Sequence, residues 1–101
     1  SNNGRSAELL QLLPHFHSRD CTTVALTSQA GSPLATGARK SLVMPVVDEG
    51  CPFGMAPLSS SVLALSVGQL LVGSILRQLE LPIETYARNH PGGAIGKRIF
   101  V

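Results

Sequence analysis

Apolar positions recur along the chain with two different periods. Between residues 6 and 18, Leu9, Leu10, Leu13 and Phe16 fall on one face of a helix, and Leu12 widens the stripe. Ser6 stands at the expected N-cap, and Glu8 lies in the first turn, where the helix dipole favours a carboxylate. Pro14 removes one backbone hydrogen bond and predicts a kink or an early end. Residues 22–27 (TTVALT) are β-branched, apolar and uncharged, the pattern of a buried strand. A loop over 29–33 leads into a short helix, 33–38, with Pro33 in its first turn, where the missing N–H costs little. Residues 41–47 (SLVMPVV) read as a second strand, and Pro45 marks its edge or its end.

After a Pro- and Gly-rich loop (48–57), the period returns to that of a helix, over 58–79. Its apolar residues occur nearly all round, from Val62 to Leu79. A helix apolar on every face belongs in a protein core or in lipid. Six polar residues (Ser59, Ser60, Ser61, Ser66, Gln69, Ser74) and the small Ala64, Gly68 and Gly73 favour a central core helix over a membrane span. Leu81-Pro82 breaks the chain. Residues 83–89 predict another short helix with Ile83, Tyr86 and Ala87 on one side, and 90–99 read as a Gly-rich segment. Helices alternating with short apolar strands indicate an α/β layer fold with a parallel sheet. Two strands are too few for a stable sheet of that kind, so a preceding βαβ segment is expected. The opening Ser-Asn-Asn-Gly, with no initiator Met and no signal-peptide pattern, also points to a part of a longer chain.

Composition narrows the class. The 101 residues are 44% hydrophobic and 14% charged, which excludes a disordered chain. Aromatics are 4% with no Trp, so the core is aliphatic. The net charge of +2 comes from scattered basic residues, without aromatics interleaved to stack on bases, which argues against nucleic-acid binding. Cys21 and Cys51 form no disulfide framework and read as reduced thiols of a cytoplasmic protein. The His and Cys residues have no zinc-finger spacing, and neither a metal nor a cofactor is expected. His15 and His17, two apart on a helix, face different ways and read as surface residues.

Candidate chemistry lies in the loops. SNNGRSAEL places a polar turn, a Gly and hydroxyls before a helix, where outward N–H groups suit an anion. An ordinary turn with an N-cap explains the same residues equally well. Glu8, Glu49 and His90 sit at a helix start or beside Gly- and Pro-rich loops. Such groups serve as acid and base where a proton moves between carbons, although most glutamates are simply solvated.

Four segments carry a family resemblance. SNNGRSAELL resembles a phosphate loop that usually reads Ser-Asn-Ser-Gly followed by Thr and acidic residues. DEGCPFGMAPLSSS resembles an EACPLGLAPTSST stretch, VLALSVGQLLVGSIL a buried helix, and HPGGAIGKRI an HPGGALGRRL signature. Together they resemble the C-terminal half of the sugar isomerase (SIS) domain, in the manner of the bacterial arabinose 5-phosphate isomerases, across essentially the whole chain.

The resemblance implies a three-layer α/β sandwich with a parallel sheet, here an incomplete half-domain, residues 1–101 being the C-terminal part of a single SIS domain. It implies interconversion of D-arabinose 5-phosphate and D-ribulose 5-phosphate. The sugar phosphate is the expected ligand, held at its phosphate by Ser1, Asn2, Asn3, Gly4 and Ser6. Glu8, Glu49 and His90 are the expected catalytic residues. His90 is assigned proton transfer, Glu49 acts as its partner or the alternative base, and Glu8 orients the sugar. The site is expected between subunits of a homo-oligomer (dimer or tetramer), with no nucleic-acid or membrane partner. Asn3, Leu58 and Gln69 depart from the family's Ser, Thr and Asp. An upstream half would supply a further Gly/Ser-rich loop, a Lys and a His. The departures favour an alternative, a sugar-phosphate-binding regulatory domain without turnover. A structural role, with the long apolar helix mediating subunit packing, is a third reading.

Overall fold

A computed structural model describes residues 1–90 and 92–99. The chain divides into two compact units, Ser1–Ser66 and Val67–Val101. Its elements are α1 (Ala7–His17), β1 (Val24–Thr27), α2 (Pro33–Gly37), β2 (Lys40–Val43), α3 (Ser59–Gln78), α4 (Ile83–Arg88) and α5 (Ala94–Ile99).

In the first unit, β1 and β2 pair in parallel, with Val24 opposite Lys40 and Thr27 opposite Val43. Parallel strands need a crossover, and α2 supplies it. Pro33 takes the first helical position as the sequence predicts, and Ser32 caps the helix by accepting from the Ala35 N–H at 3.3 Å. The core is small and aliphatic: Ala25, Leu34, Ala35 and Met44.

Several expectations require correction. The continuous burial expected of 22–27 is replaced by alternation, because the strand has one covered face: Ala25 and Thr27 are buried while Val24 is exposed. The second strand starts one residue earlier than predicted and stops at Val43, before Pro45. Pro14 does not end α1, which runs on to His17; the Pro14 carbonyl still accepts from Ser18 N–H at 2.9 Å. Ser6 occupies the N-cap position of α1, yet its hydroxyl makes no capping bond.

The largest correction concerns α3. The helix forms where predicted, but it is not a core helix within this chain: Ser60 is its buried residue, while Val62, Leu65 and Leu70 are 66%, 64% and 73% exposed. A two-stranded sheet offers too little apolar surface to cover a helix that is apolar all round. By length and composition α3 suffices to cross a membrane. Its serines do not decide the matter, because Ser66 and Ser74 return their hydroxyls to carbonyls one turn back, Val62 and Leu70, each at 2.9 Å.

In the second unit, α4 begins after Pro82, whose carbonyl accepts from Thr85 and Tyr86 N–H groups. Of the three residues placed on one side of this helix, Ala87 is fully buried, whereas Ile83 and Tyr86 are exposed. The Gly-rich segment contains a helix that composition hid, α5. Its buried residue, Gly96, is small like Ala87, which lets short helices approach closely. Pro91 of the HPGG signature, and Phe100 and Val101, lie outside the described residues.

The tightest packing lies under Gly4. Its φ is +64°, and a Cβ there would overlap Ser32 Oγ and stand 3.0 Å from Thr27 Oγ1. Both neighbours are fully buried, so neither yields. Gly4→Ala is expected to destabilise the fold by about 2–5 kcal/mol, from left-handed strain plus overpacking. Denaturant unfolding of the variant checks this, and Ser32→Gly in the same chain should recover the overpacking part alone.

Candidate active site

The segment before α1 is held by the end of β1. The Asn2 carbonyl accepts three hydrogen bonds: from Ser28 N–H at 2.8 Å, Ser28 Oγ at 2.8 Å and Thr27 Oγ1 at 2.9 Å. The Ser1 nitrogen donates to Leu26 O at 3.1 Å. The Gly4 carbonyl accepts from Leu34 N–H at 3.0 Å, tying the loop to α2. With the carbonyls turned toward the protein, the side chains of the loop turn outward.

Those side chains form a connected set. Ser1 Oγ and Ser6 Oγ lie 2.9 Å apart, and Ser1 Oγ donates to Asn3 Oδ1 at 3.2 Å. The same Asn3 oxygen accepts from Arg5 N–H at 3.0 Å, a local turn suited to a short amide or carboxylate side chain. Ser6 thus gives up its cap on α1 to face Ser1, and the first-turn N–H groups of α1 keep no side-chain acceptor from it.

These residues wall a cavity of about 540 Å³. Ser1, Asn2, Asn3 and Ser6 form one side, and Ser60, Ser61 and Ala64 of α3, with Pro57, form another. Leu26 and Met44 also line it. The cavity therefore opens at the carboxyl ends of the two parallel strands, where ligands of parallel α/β sheets bind. Of the five predicted phosphate residues, four line it. Gly4 does not: it is buried beneath the loop and shapes the turn.

Glu49 does not line this cavity; it bonds to Ser60, which does. Its Oε2 accepts from the Ser60 N–H at 2.9 Å, so the carboxylate caps the N-terminus of α3. The Ser60 hydroxyl first and then the Ser60 N–H lower its pKa from the ordinary 4.5; burial opposes them, and the N–H groups of Ser59 and Leu58 add smaller lowering effects. Two residues on, the Cys51 thiol is also pulled down, by the N–H groups of Ala56 first and then Met55, Phe53 and Gly54; the Ala56 N–H lies 3.4 Å from Sγ. The loop 49–56 thus folds round two side chains whose pKa values are lowered by hydrogen-bond donors around them.

Glu8 is exposed in the first turn of α1 and does not line the cavity. His90, in the second unit, is half-buried, stacked on Tyr86 with ring centroids 4.7 Å apart. Its Nδ1 lies 2.9 Å from the Tyr86 carbonyl oxygen. A carbonyl only accepts, so Nδ1 is the donor of this bond, and Nε2 is the nitrogen it leaves free. Of the departing residues, Leu58 is 53% exposed at the mouth of α3, and Gln69 is exposed along that helix. Among the described residues, no three His, Cys, Asp or Glu side chains gather as metal ligands would.

Sequence reasoning missed Ser60 and Ser61 as cavity residues, and Thr27, Ser28 and Ser32 as supports of the loop. The available signal was their run of small hydroxyls at the end of a strand or the start of a helix. The same run reads as ordinary capping unless the two segments are known to meet.

Comparisons with known proteins place the chain in a family. The SIS domain model matches residues 1–74. The arabinose 5-phosphate isomerase KdsD of Pseudomonas aeruginosa is 37% identical over 101 residues, which is all of this chain and 31% of that protein. The arabinose 5-phosphate isomerase KpsF of Escherichia coli is 32% identical over 100 residues, 99% of this chain and 32% of that protein. The solved structure of the E. coli CFT073 protein c3406 in complex with arabinose 5-phosphate matches with a TM-score of 0.75 at 28% identity, covering 90% of this chain and 48% of that one. The chain thus spans about a third of the length of these curated relatives and about half of the solved one. With a family model running from the polar loop through most of α3, the chain belongs to the SIS domain family.

Proposed function

We propose that this chain is part of a sugar-phosphate aldose–ketose isomerase that interconverts D-arabinose 5-phosphate and D-ribulose 5-phosphate. The observation that carries the reading is the cavity in which the hydroxyl- and amide-bearing loop faces the first turn of α3. Two relatives are named arabinose 5-phosphate isomerases, and the solved one holds arabinose 5-phosphate, which supports the choice of sugar. The phosphate would lie against Ser1, Asn2, Asn3 and Ser6, with Gly4 setting the turn.

Aldose and ketose are isomers, so the reaction needs neither oxidant nor reductant. A base takes the proton from C2, the electrons move into a C1–C2 enediol, and C1 receives a proton. The aldehyde oxygen gains a proton while the C2 hydroxyl loses one. Each well-placed acid or base typically contributes about 10²–10⁴ in rate. Glu49, kept ionised by its Ser60 donors, is suited to the base, or to partnering His90. His90 has Nε2 left free by its Nδ1 hydrogen bond and is assigned proton transfer in ring opening or enolisation. Glu8 is assigned the orienting of the sugar. Binding the phosphate supplies energy remote from the reacting carbons.

The protein is further proposed to be cytoplasmic and a homo-oligomer, a dimer or tetramer with sites completed between subunits. The exposed apolar residues of α3 support association. The family model runs through residue 74, which favours α3 as part of the domain over a membrane span. A second reading, a sugar-phosphate sensor without turnover, is favoured by one observation: the Glu49 carboxylate is already employed as a helix cap.

Three outcomes are expected. In the full-length protein, His90→Ala and Glu49→Ala lower kcat on arabinose 5-phosphate by about 100-fold or more, with affinity for inorganic phosphate nearly unchanged. Tight sugar-phosphate binding with no ketose formed would establish the sensor instead. Ser1→Ala and Ser6→Ala chiefly raise KM, as measured by steady-state kinetics. The Glu49 cap also gives stability a pH dependence of known sign. Its folded pKa is depressed, so the contribution is fully present above about 4.5 and is lost as pH falls through the lowered value. Glu49→Gln should remove that part of the acid-induced loss of helicity, followed by circular dichroism.

A further inference from the structure

We propose that Asn3 sets how tightly the cavity grips a phosphate, by holding the hydroxyl protons of Ser1 and Ser6 inside the loop. This rests on the sugar-phosphate reading of the cavity and deepens it. Asn3, Ser1 and Ser6 all line the cavity. Each hydroxyl has one proton to give. The Arg5 N–H lies 3.0 Å from an Asn3 side-chain atom, and a donor needs an acceptor, so that atom is Oδ1 and not the amide nitrogen. Ser1 Oγ lies 3.2 Å from the same Oδ1, which has no proton of its own, so Ser1 donates to Asn3. Ser6 Oγ lies 2.9 Å from Ser1 Oγ; with the Ser1 proton already spent, Ser6 is the donor there.

The result is a directed chain, Ser6 to Ser1 to Asn3, that ends on a pure acceptor. Ser6 makes no capping bond to α1 in this arrangement, so its oxygen is committed to Ser1. Both hydroxyls therefore present lone pairs rather than protons to whatever enters the cavity, whereas an oxyanion needs protons. A phosphate recruits the Ser1 hydroxyl only by breaking its bond to Asn3, and that loss offsets much of the gain. Asn3 is thus a positioning residue that acts on the ligand through Ser1 and Ser6. It is also the place where this loop departs from the Ser of the pattern it resembles. An alanine or a serine there has no amide oxygen to compete with the ligand for the Ser1 proton.

The test is a double-mutant cycle on the full-length protein, with affinity for arabinose 5-phosphate measured by titration calorimetry. Ser1→Ala is made in the presence of Asn3 and again together with Asn3→Ala. With Asn3 in place, Ser1→Ala should weaken binding by no more than about threefold, because the proton it removes is held inside the loop. With Asn3→Ala that proton is released to the ligand, and Ser1→Ala should then weaken binding by about tenfold. A merely structural role for Asn3 would shift every affinity without changing the Ser1 penalty. Asn3→Ser is the second background should Asn3→Ala fold poorly: its hydroxyl still accepts from the Arg5 N–H and keeps the turn, and the Ser1 penalty should rise there too. A Ser1 penalty that stays equal in every background, or shrinks when Asn3 is replaced, overturns the role of Asn3 alone. An unaltered protein that binds no arabinose 5-phosphate overturns the sugar-phosphate reading, and the role of Asn3 with it.

Discussion

The Asn2 carbonyl, with three donors from the end of β1, is the contact on which the cavity depends. It holds a polar turn against the carboxyl edge of a parallel strand pair. Gly4 completes the arrangement by coming so close to Ser32 and Thr27 that no side chain fits between them. The carbonyls of the turn are thereby consumed inside the protein. What remains facing outward is a set of hydroxyls, two amides and the start of a helix, and that combination suits an anion.

The second wall follows the same logic from the other direction. The loop 48–57 returns from β2 and delivers Glu49 to the first turn of α3, where free N–H groups attract a carboxylate. Capping and catalysis usually compete for a carboxylate. Here the cap joins one carboxylate oxygen to the N–H of Ser60, a residue that also lines the cavity. The Cys51 thiol, drawn into the N–H groups of residues 53–56, gives the loop a second internal anchor.

The exposed apolar residues of α3 follow from the small sheet. An uncharged stretch with serines bonded back to its own carbonyls satisfies its polar groups internally. It therefore forms a helix with or without a covering layer, and composition alone does not say what lies against it.

Much of this was legible in the residues. Periodicity located every element except α5, whose glycines masked six helical residues. The polar turn before α1, Glu49 in its Pro- and Gly-rich loop and His90 beside a Gly pair were all visible as candidate chemistry, although the same residue types also serve ordinary turns and solvated loops. Sequence could not show that Gly4 lies under the turn, that Ser6 abandons its cap for Ser1, or that Ser60 rather than a cation holds Glu49. Each is settled by which groups meet in space, and local pattern contains no record of that. Nor could it show that β1 is covered on one face and α3 on almost none. Burial is a property of the whole packed arrangement, whereas periodicity reports only which side of an element is able to be buried.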